Sequence, residues 1–213
     1  IVIDDGSDPE HTSRLTKFLT GANEFLFRSN DLYENITYDR TIRMANGNYV
    51  ALLQDDDDFE DTSWVSAAVS YFKKYPRMAI LGGKGGLDIA FEHDRHYAHG
   101  GVPMNKSDFT FVTAVNRAPM WLNKELYMQH LHHIDYTFAP FQFDDYEICA
   151  RTWLCGLQVG WYDAKFKSLS VGGMRLWNNA FTEEQSAKNG RRLYDMYVDK
   201  IDSIHEAIKN SIY

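Results

Sequence analysis

Short apolar runs alternate with stretches of helical period through the first half of the chain. Ile1 to Ile3 reads as a buried strand, Asp5-Gly6-Ser7-Asp8 as a turn, and His11 to Leu19 as a helix with Leu15, Phe18 and Leu19 on its apolar side. Glu24 to Phe27 gives a second strand, followed by a helix from about Tyr33 to Ala45 that stops at Asn46-Gly47. Asn48 to Leu53 is a third strand. Asp61-Thr62-Ser63 then caps a helix through Tyr75, closed by Pro76, and Met78 to Leu81 is a fourth strand. This β-α-β-α-β-α-β order predicts an α/β fold with a parallel sheet and helices on both faces. In such sheets ligands bind at the carboxyl ends of the strands, where Asp4, Asp5 and the run Asp55 to Asp58 fall.

The second half is less regular. Residues 82–108 mix glycine, histidine and charge without a clear period and read as a long loop or β-excursion, a lid or an acceptor wall. Phe109 to Val115 is a strand, Asn123 to Leu131 a helix, Asp144 to Cys155 a helix, and Leu157 to Tyr162 another strand. Thr182-Glu183-Glu184-Gln185 reads as a capping box that opens a long helix. Its stripe of Leu193, Met196, Tyr197, Ile201, Ile204 and Ile208 has the spacing of a face packed on the domain. The expected organisation is one domain over 1–213, in a first half (1–81), a second half (82–180) and a C-terminal amphipathic helix (181–213).

Composition narrows the function. With 213 residues, 44% of them hydrophobic, the chain can bury a substantial core. A formal charge of −8 without a basic stripe argues against nucleic acid as a partner, so a negatively charged substrate needs a local Arg, Lys or metal. Cys149 and Cys155 are too widely spaced for a Cys-x-x-Cys site and read as core thiols of a reducing compartment. No run has the length of a membrane span and no signal peptide opens the chain, so the expected location is cytoplasmic.

The strongest chemical signal is Gln54-Asp55-Asp56-Asp57-Asp58 at the end of the third strand. Four adjacent carboxylates repel one another, and a divalent cation is the simplest species to relieve them. The run has two companions at defined places: Val2-Ile3-Asp4-Asp5-Gly6-Ser7 upstream, and Asp144-Asp145-Tyr146-Glu147 opening a helix downstream. In order and spacing, these segments resemble the three main signatures of family 2 nucleotide-sugar glycosyltransferases of the GT-A fold, whose metal motif is Asp-x-Asp.

The resemblance implies a GT-A, Rossmann-like, mostly parallel central sheet flanked by helices on both faces, with 1–81 as its nucleotide-binding half and 82–180 as its acceptor and catalytic half. It implies transfer of a sugar from a nucleotide-sugar donor, a UDP-sugar, to an acceptor hydroxyl on a glycan, glycoprotein or glycolipid, with Mn²⁺ or Mg²⁺ as cofactor. Asp5, with Asp4 beside it, would recognise the nucleotide base. Asp55 would hold the ribose and Asp56 the metal, with Asp57 as second metal candidate through the alternative Asp55-x-Asp57. Asp145 would be the general base of an inverting displacement and Asp144 its neighbour and fallback. Retention, and a non-catalytic nucleotide- or carbohydrate-binding module on the same fold, are the alternatives; a nucleotidyltransferase would need a Gly-rich opening loop that is not seen.

Three departures from the family pattern stand out. Gln54 occupies the position of the first Asp of the metal motif, the family's additional first strand does not precede Ile1, and Lys167 to Gly172 contains no metal-ligating His. A larger multidomain chain is one expectation from the second of these. Arg175, Trp177 and His205 are the remaining candidates near the diphosphate. Bland readings suit the other motifs: His93, His96 and His99, like His130, His132 and His133, lack a zinc-type partner motif. Gly82-Gly83-Lys84-Gly85-Gly86 lacks the Lys-Ser/Thr of a P-loop and reads as a turn near the donor sugar. Trp121 and the segment Asn116-Arg117-Ala118-Pro119-Met120 resemble the family's acceptor-lining segment, Trp121 reads equally as a sugar platform or a core residue, and Arg151 reads as the structural partner of Glu147.

Overall fold

The structure is a computed structural model that describes residues 1–99, 101, 103–104, 107–117, 119–169 and 179–211. The chain opens with strand β1 (Val2–Asp5), helix α1 (Pro9–Phe18), β2 (Leu26–Ser29), helix α2 (Tyr33–Met44), β3 (Tyr49–Leu52), β4 (Asp57–Phe59), helix α3 (Ser63–Lys74) and β5 (Met78–Gly82). Short strands β6 (Gly86–Leu87), β7 (Ala90–Glu92), β8 (Tyr97–His99), β9 (Phe109–Phe111), β10 (Ala114–Val115) and β11 (Met120–Asn123) follow. Then come α4 (Lys124–Leu126), continued by a π turn over Tyr127–Leu131, α5 (Asp144–Leu154), β12 (Gln158–Tyr162), β13 (Phe166–Ser168), α6 (Asn179–Tyr197) and α7 (Ile201–Ser211).

A five-stranded sheet in the order β3-β11-β5-β12-β9 forms the centre. Alternation along the strands divides its side chains between two cores. Leu52, Ile80, Leu122 and Val159 pack with Ile42 of α2, Ile148 and Trp153 of α5, and Ile204 of α7. Met78, Leu81, Trp121 and Tyr162 face the other way onto Ala68 and Phe72 of α3. Helices therefore cover both faces, as expected for α/β. Leu122 is fully buried between two strands, and cutting such a side chain to Ala costs about 2–5 kcal/mol through lost burial and the cavity left behind.

Two features depart from the expected topology. β11 inserts between β3 and β5 and runs against both, so β5 and β12 are the parallel neighbours in this sheet. β1 and β2 instead form their own parallel pair, with Val2 opposite Leu26 and Asp5 opposite Ser29. This unit is thinly covered: α1 buries none of its residues and Phe18 is 76% exposed.

Other expectations are corrected by local detail. The acidic run enters a strand, because Asp57–Phe59 pairs antiparallel with Phe166–Ser168. Trp121 belongs to β11 and donates its indole N–H to the Tyr162 hydroxyl at 3.1 Å, a core contact. Thr182 lies inside the first turn of α6 rather than at its cap, and its hydroxyl is buried without a partner. The long C-terminal helix is broken by a 3₁₀ turn at Val198–Lys200, yet Leu193, Tyr197, Ile204 and Ile208 are all buried as one stripe.

Candidate active site

The β1 turn is held by its own first aspartate. Asp4 accepts from the Ser7 N–H at 2.9 Å and from the Thr12 hydroxyl at 2.5 Å, and it is 3% exposed. These bonds to Thr12 and Ser7 hold its carboxyl below the usual range. Gly6 follows at φ 103°, a left-handed conformation that glycine adopts without strain. Asp5 points elsewhere: its carboxylate accepts from the Ser29 hydroxyl at 2.6 Å, from Leu32 N–H at 3.1 Å and from Tyr33 N–H at 2.8 Å. It thus ties β1 to β2 and caps the entry to α2, where Asp31 and Tyr33 have positive φ. Of the two acids, Asp5 is the half-exposed one.

The head of the acidic run, Gln54 to Asp57, makes a turn before β4 begins, so strand alternation does not sort Asp55, Asp56 and Asp57. The Asp57 N–H donates to the Gln54 carbonyl at 3.2 Å, and the Gln54 N–H donates to Asp57 Oδ2 at 2.8 Å. Asp55 is exposed at the corner, while Asp56 and Asp57 are half-buried. Asp57 Oδ1 is buried with no hydrogen-bond partner among the described residues, and burial, with the Asp56 charge beside it, raises its carboxyl above the usual range. The strand β13 is laid against this turn. Ser168 donates its hydroxyl to Asp56 Oδ2 at 2.9 Å, and the Leu169 N–H donates to the Asp56 carbonyl at 2.8 Å.

The downstream acids stand at the first turn of α5, approached through Gln142 and Phe143, both in the left-handed region. Asp144 is 1% exposed and accepts from the Arg117 guanidinium. Arg117 also lies 3.4 Å from Glu34 of α2. Burial works against the charge of Arg117, but Asp144 and then Glu34 outweigh it and keep the guanidinium strongly protonated. Asp145 is half-buried, and its Oδ1 accepts from the Tyr146 N–H at 3.0 Å. Burial, opposed by Arg117, leaves its carboxyl above the usual range. A carboxylate of raised basicity at the start of a helix takes up a proton more readily than an ordinary one.

These corners are wired together. Gln54 donates its side-chain amide to Glu34 Oε2 at 2.9 Å, Glu34 faces Arg117, and Arg117 holds Asp144. Tyr38 adds a strut, donating its hydroxyl to the Leu53 carbonyl at 3.1 Å while Arg117 lies 5.3 Å from its ring centroid. Sequence reasoning missed Glu34 and took Arg117 only as part of the segment Asn116 to Met120, because the contact exists only once α2, the segment between β10 and β11, and α5 have packed. Asn35, beside Glu34, is fully buried, and neither of its amide atoms has a partner among the described residues.

Among the described residues no group of three or more His, Cys, Asp or Glu has the arrangement to hold a metal by itself. The donor set at the turn is nonetheless compatible with a hard divalent ion: Asp56 and Asp57 supply carboxylate oxygens, one of them buried and unpartnered, and such ions commonly take one or two carboxylates with phosphates and water completing the shell. His205 is committed to Asp88 at 2.7 Å. His93 contacts the Tyr194 hydroxyl at 3.1 Å and His99 lies 3.4 Å from Glu92. Arg175 and Trp177 lie outside the described residues. Arg151 pairs with Glu147 at 2.8 Å as a structural ion pair. Cys149 is buried in the core as expected, whereas Cys155 is exposed just past the end of α5 and is not a core thiol.

No protein family model matches the chain, and no curated protein matches it. Solved structures do. The chain superposes on 76% of its length with GalNAc-T7 crystallised with UDP, GalNAc and Mn²⁺, at TM-score 0.62 and 16% identity, spanning 36% of that chain. It superposes on 80% of its length with S. aureus TarS 1-349 in complex with UDP-GlcNAc, at TM-score 0.56 and 14% identity, spanning 49% of that chain. The UDP complex of the same TarS segment gives 0.54 and 14% over 76% of this chain and 48% of that one. The chain therefore spans half or less of the proteins it resembles, and what it shares with them is the fold: a mixed α/β architecture of the GT-A, Rossmann-like kind.

Proposed function

We propose that the chain carries the catalytic fold of a nucleotide-sugar glycosyltransferase, moving a sugar from a UDP-linked donor to an acceptor hydroxyl on a glycan, glycoprotein or glycolipid. The observation that carries the reading is the link from the acidic turn through Gln54, Glu34 and Arg117 to Asp144, which holds the Asp56-Asp57 pair and the acids of α5 in one framework. It gains support from the UDP-containing structures on which the chain superposes.

In this reading Asp5 recognises the uracil base, Asp55 the ribose, and Asp56 with Asp57 a Mn²⁺ or Mg²⁺ ion. When bound, the ion would offset the charge of the leaving diphosphate. Asp145 accepts the proton of the attacking hydroxyl in a single displacement with inversion. Asp144 is the fallback base, but its ion pair with Arg117 assigns it first to holding the start of α5.

A second reading, a module that binds nucleotide or carbohydrate without turnover, draws on the carboxylate of Asp5, which already has three internal donors. Titrating UDP with and without Mn²⁺, then following UDP release from a panel of UDP-sugars, separates the two. Metal-dependent binding with release supports the transferase; binding with no release from any donor supports the module; no binding of UDP in either condition rejects the transferase and a nucleotide-binding module alike.

A further inference from the structure

We propose that Lys84 is a diphosphate-binding residue, the cation that offsets the acidic turn when an anionic nucleotide approaches. The inference rests on the nucleotide-sugar reading and deepens it. An anion that docks beside Asp55, Asp56, Asp57 and Asp58 meets strong like-charge repulsion, so a fixed positive charge facing the same corner has a function there.

Three lysines border this corner. Lys165 is bound to Asp163 at 2.5 Å and Lys167 lies 3.4 Å from Glu60, so their charges are engaged. Lys84 is exposed and has no ion pair among the described residues. Its Nζ lies 5.4 Å from the centroid of the Phe166 ring. That ring starts β13, whose Ser168 pairs in register with Asp57 and hydrogen-bonds Asp56, so Lys84 stands over the strand that braces the turn. Its positive charge acts on Asp57.

The glycines around it explain why the loop holds this position. A Cβ on Gly82 would sit 2.4 Å from Val115 Cβ, and one on Gly83 would sit 2.6 Å from Ala164 Cβ. Neither position has room for a side chain, so β5 and its exit pack tightly against β10 and the segment before β13. Lys84 is the first exposed side chain after that packed entry. The glycine-flanked lysine thus works as a point charge on a flexible stem, without the cradle of amides that a P-loop supplies.

The test compares UDP and uridine titrated into the wild-type chain, Lys84→Met and Lys84→Arg, each in EDTA and in Mn²⁺. Lys84→Met weakens UDP by about tenfold, the effect of losing one charge-assisted contact, and leaves uridine unchanged. Lys84→Arg retains most of the affinity. Unchanged UDP affinity in Lys84→Met, or an equal loss for uridine and UDP, overturns the assignment while leaving the nucleotide-sugar reading standing. A wild-type chain that binds neither ligand overturns both.

Discussion

The side-chain amide of Gln54 donates to Glu34 Oε2 at 2.9 Å, and the same oxygen lies 3.4 Å from Arg117 Nη1. This gives a physical account of the neutral residue at the head of the acidic turn. An aspartate there would offer no donor to Glu34 and would add a carboxylate to an already crowded corner. Replacing Gln54 with Glu keeps the shape, removes the donor and adds like charge. Urea unfolding of Gln54→Glu at neutral pH is expected to show a loss of about 1–2 kcal/mol; stability equal to wild type would mean that the Glu34 contact has no energetic weight.

Arg117 compensates two carboxylates at once. Arg117→Met leaves Asp144 buried without a partner, a change that costs about 3–5 kcal/mol. Combining it with Asp144→Asn is expected to cost less than the sum of the two single changes, because the charge that each single change exposes is removed in the pair. Additive losses in denaturant titrations would dissolve the proposed coupling.

The sequence made the layered architecture legible because the central elements carry strong periodic patterns: Met78 to Leu81, Asn48 to Leu53 and the Asp144 helix all stand where their apolar spacing puts them. β11 escaped because Met120–Asn123 is short and runs straight into a helical segment. β4 escaped because aspartates are poor strand formers, and it persists through its ladder to β13 and the stacking of Phe59 on Trp64 at 4.1 Å. At the site, the three acidic motifs were visible as local runs, whereas Glu34 and Arg117 have partners from distant parts of the chain and no local signature.

Asp39 provides a test by pH. It is fully buried, yet the hydroxyls of Tyr127 and Tyr136 and the Arg43 guanidinium outweigh the effect of burial and hold its carboxyl below its ordinary value near 3.8. A carboxyl lowered on folding stabilises the native state above the unfolded value, and that stability is lost as pH falls through the folded one. Asp39→Asn should therefore unfold at lower temperature than wild type at pH 7, by the equivalent of about 3 kcal/mol. The gap should shrink as pH drops below about 4. A constant gap from pH 7 to pH 3 would show that the effect is packing alone.

The acidic turn divides its roles. Asp56→Ala should abolish the Mn²⁺ dependence of UDP binding, and Asp57→Ala should weaken it. Calorimetric titrations check both. Unchanged Mn²⁺ affinity in Asp56→Ala would move the metal to Asp55 and Asp57.

The most direct test of the central claim is Asp145→Asn, assayed for UDP binding in Mn²⁺ and for UDP release from the donor that the wild-type chain uses. The account predicts a fall in release of about 10²- to 10⁴-fold, the usual contribution of a positioned base, with UDP affinity unchanged. Full release by Asp145→Asn, or loss of binding together with release, would contradict Asp145 as the general base.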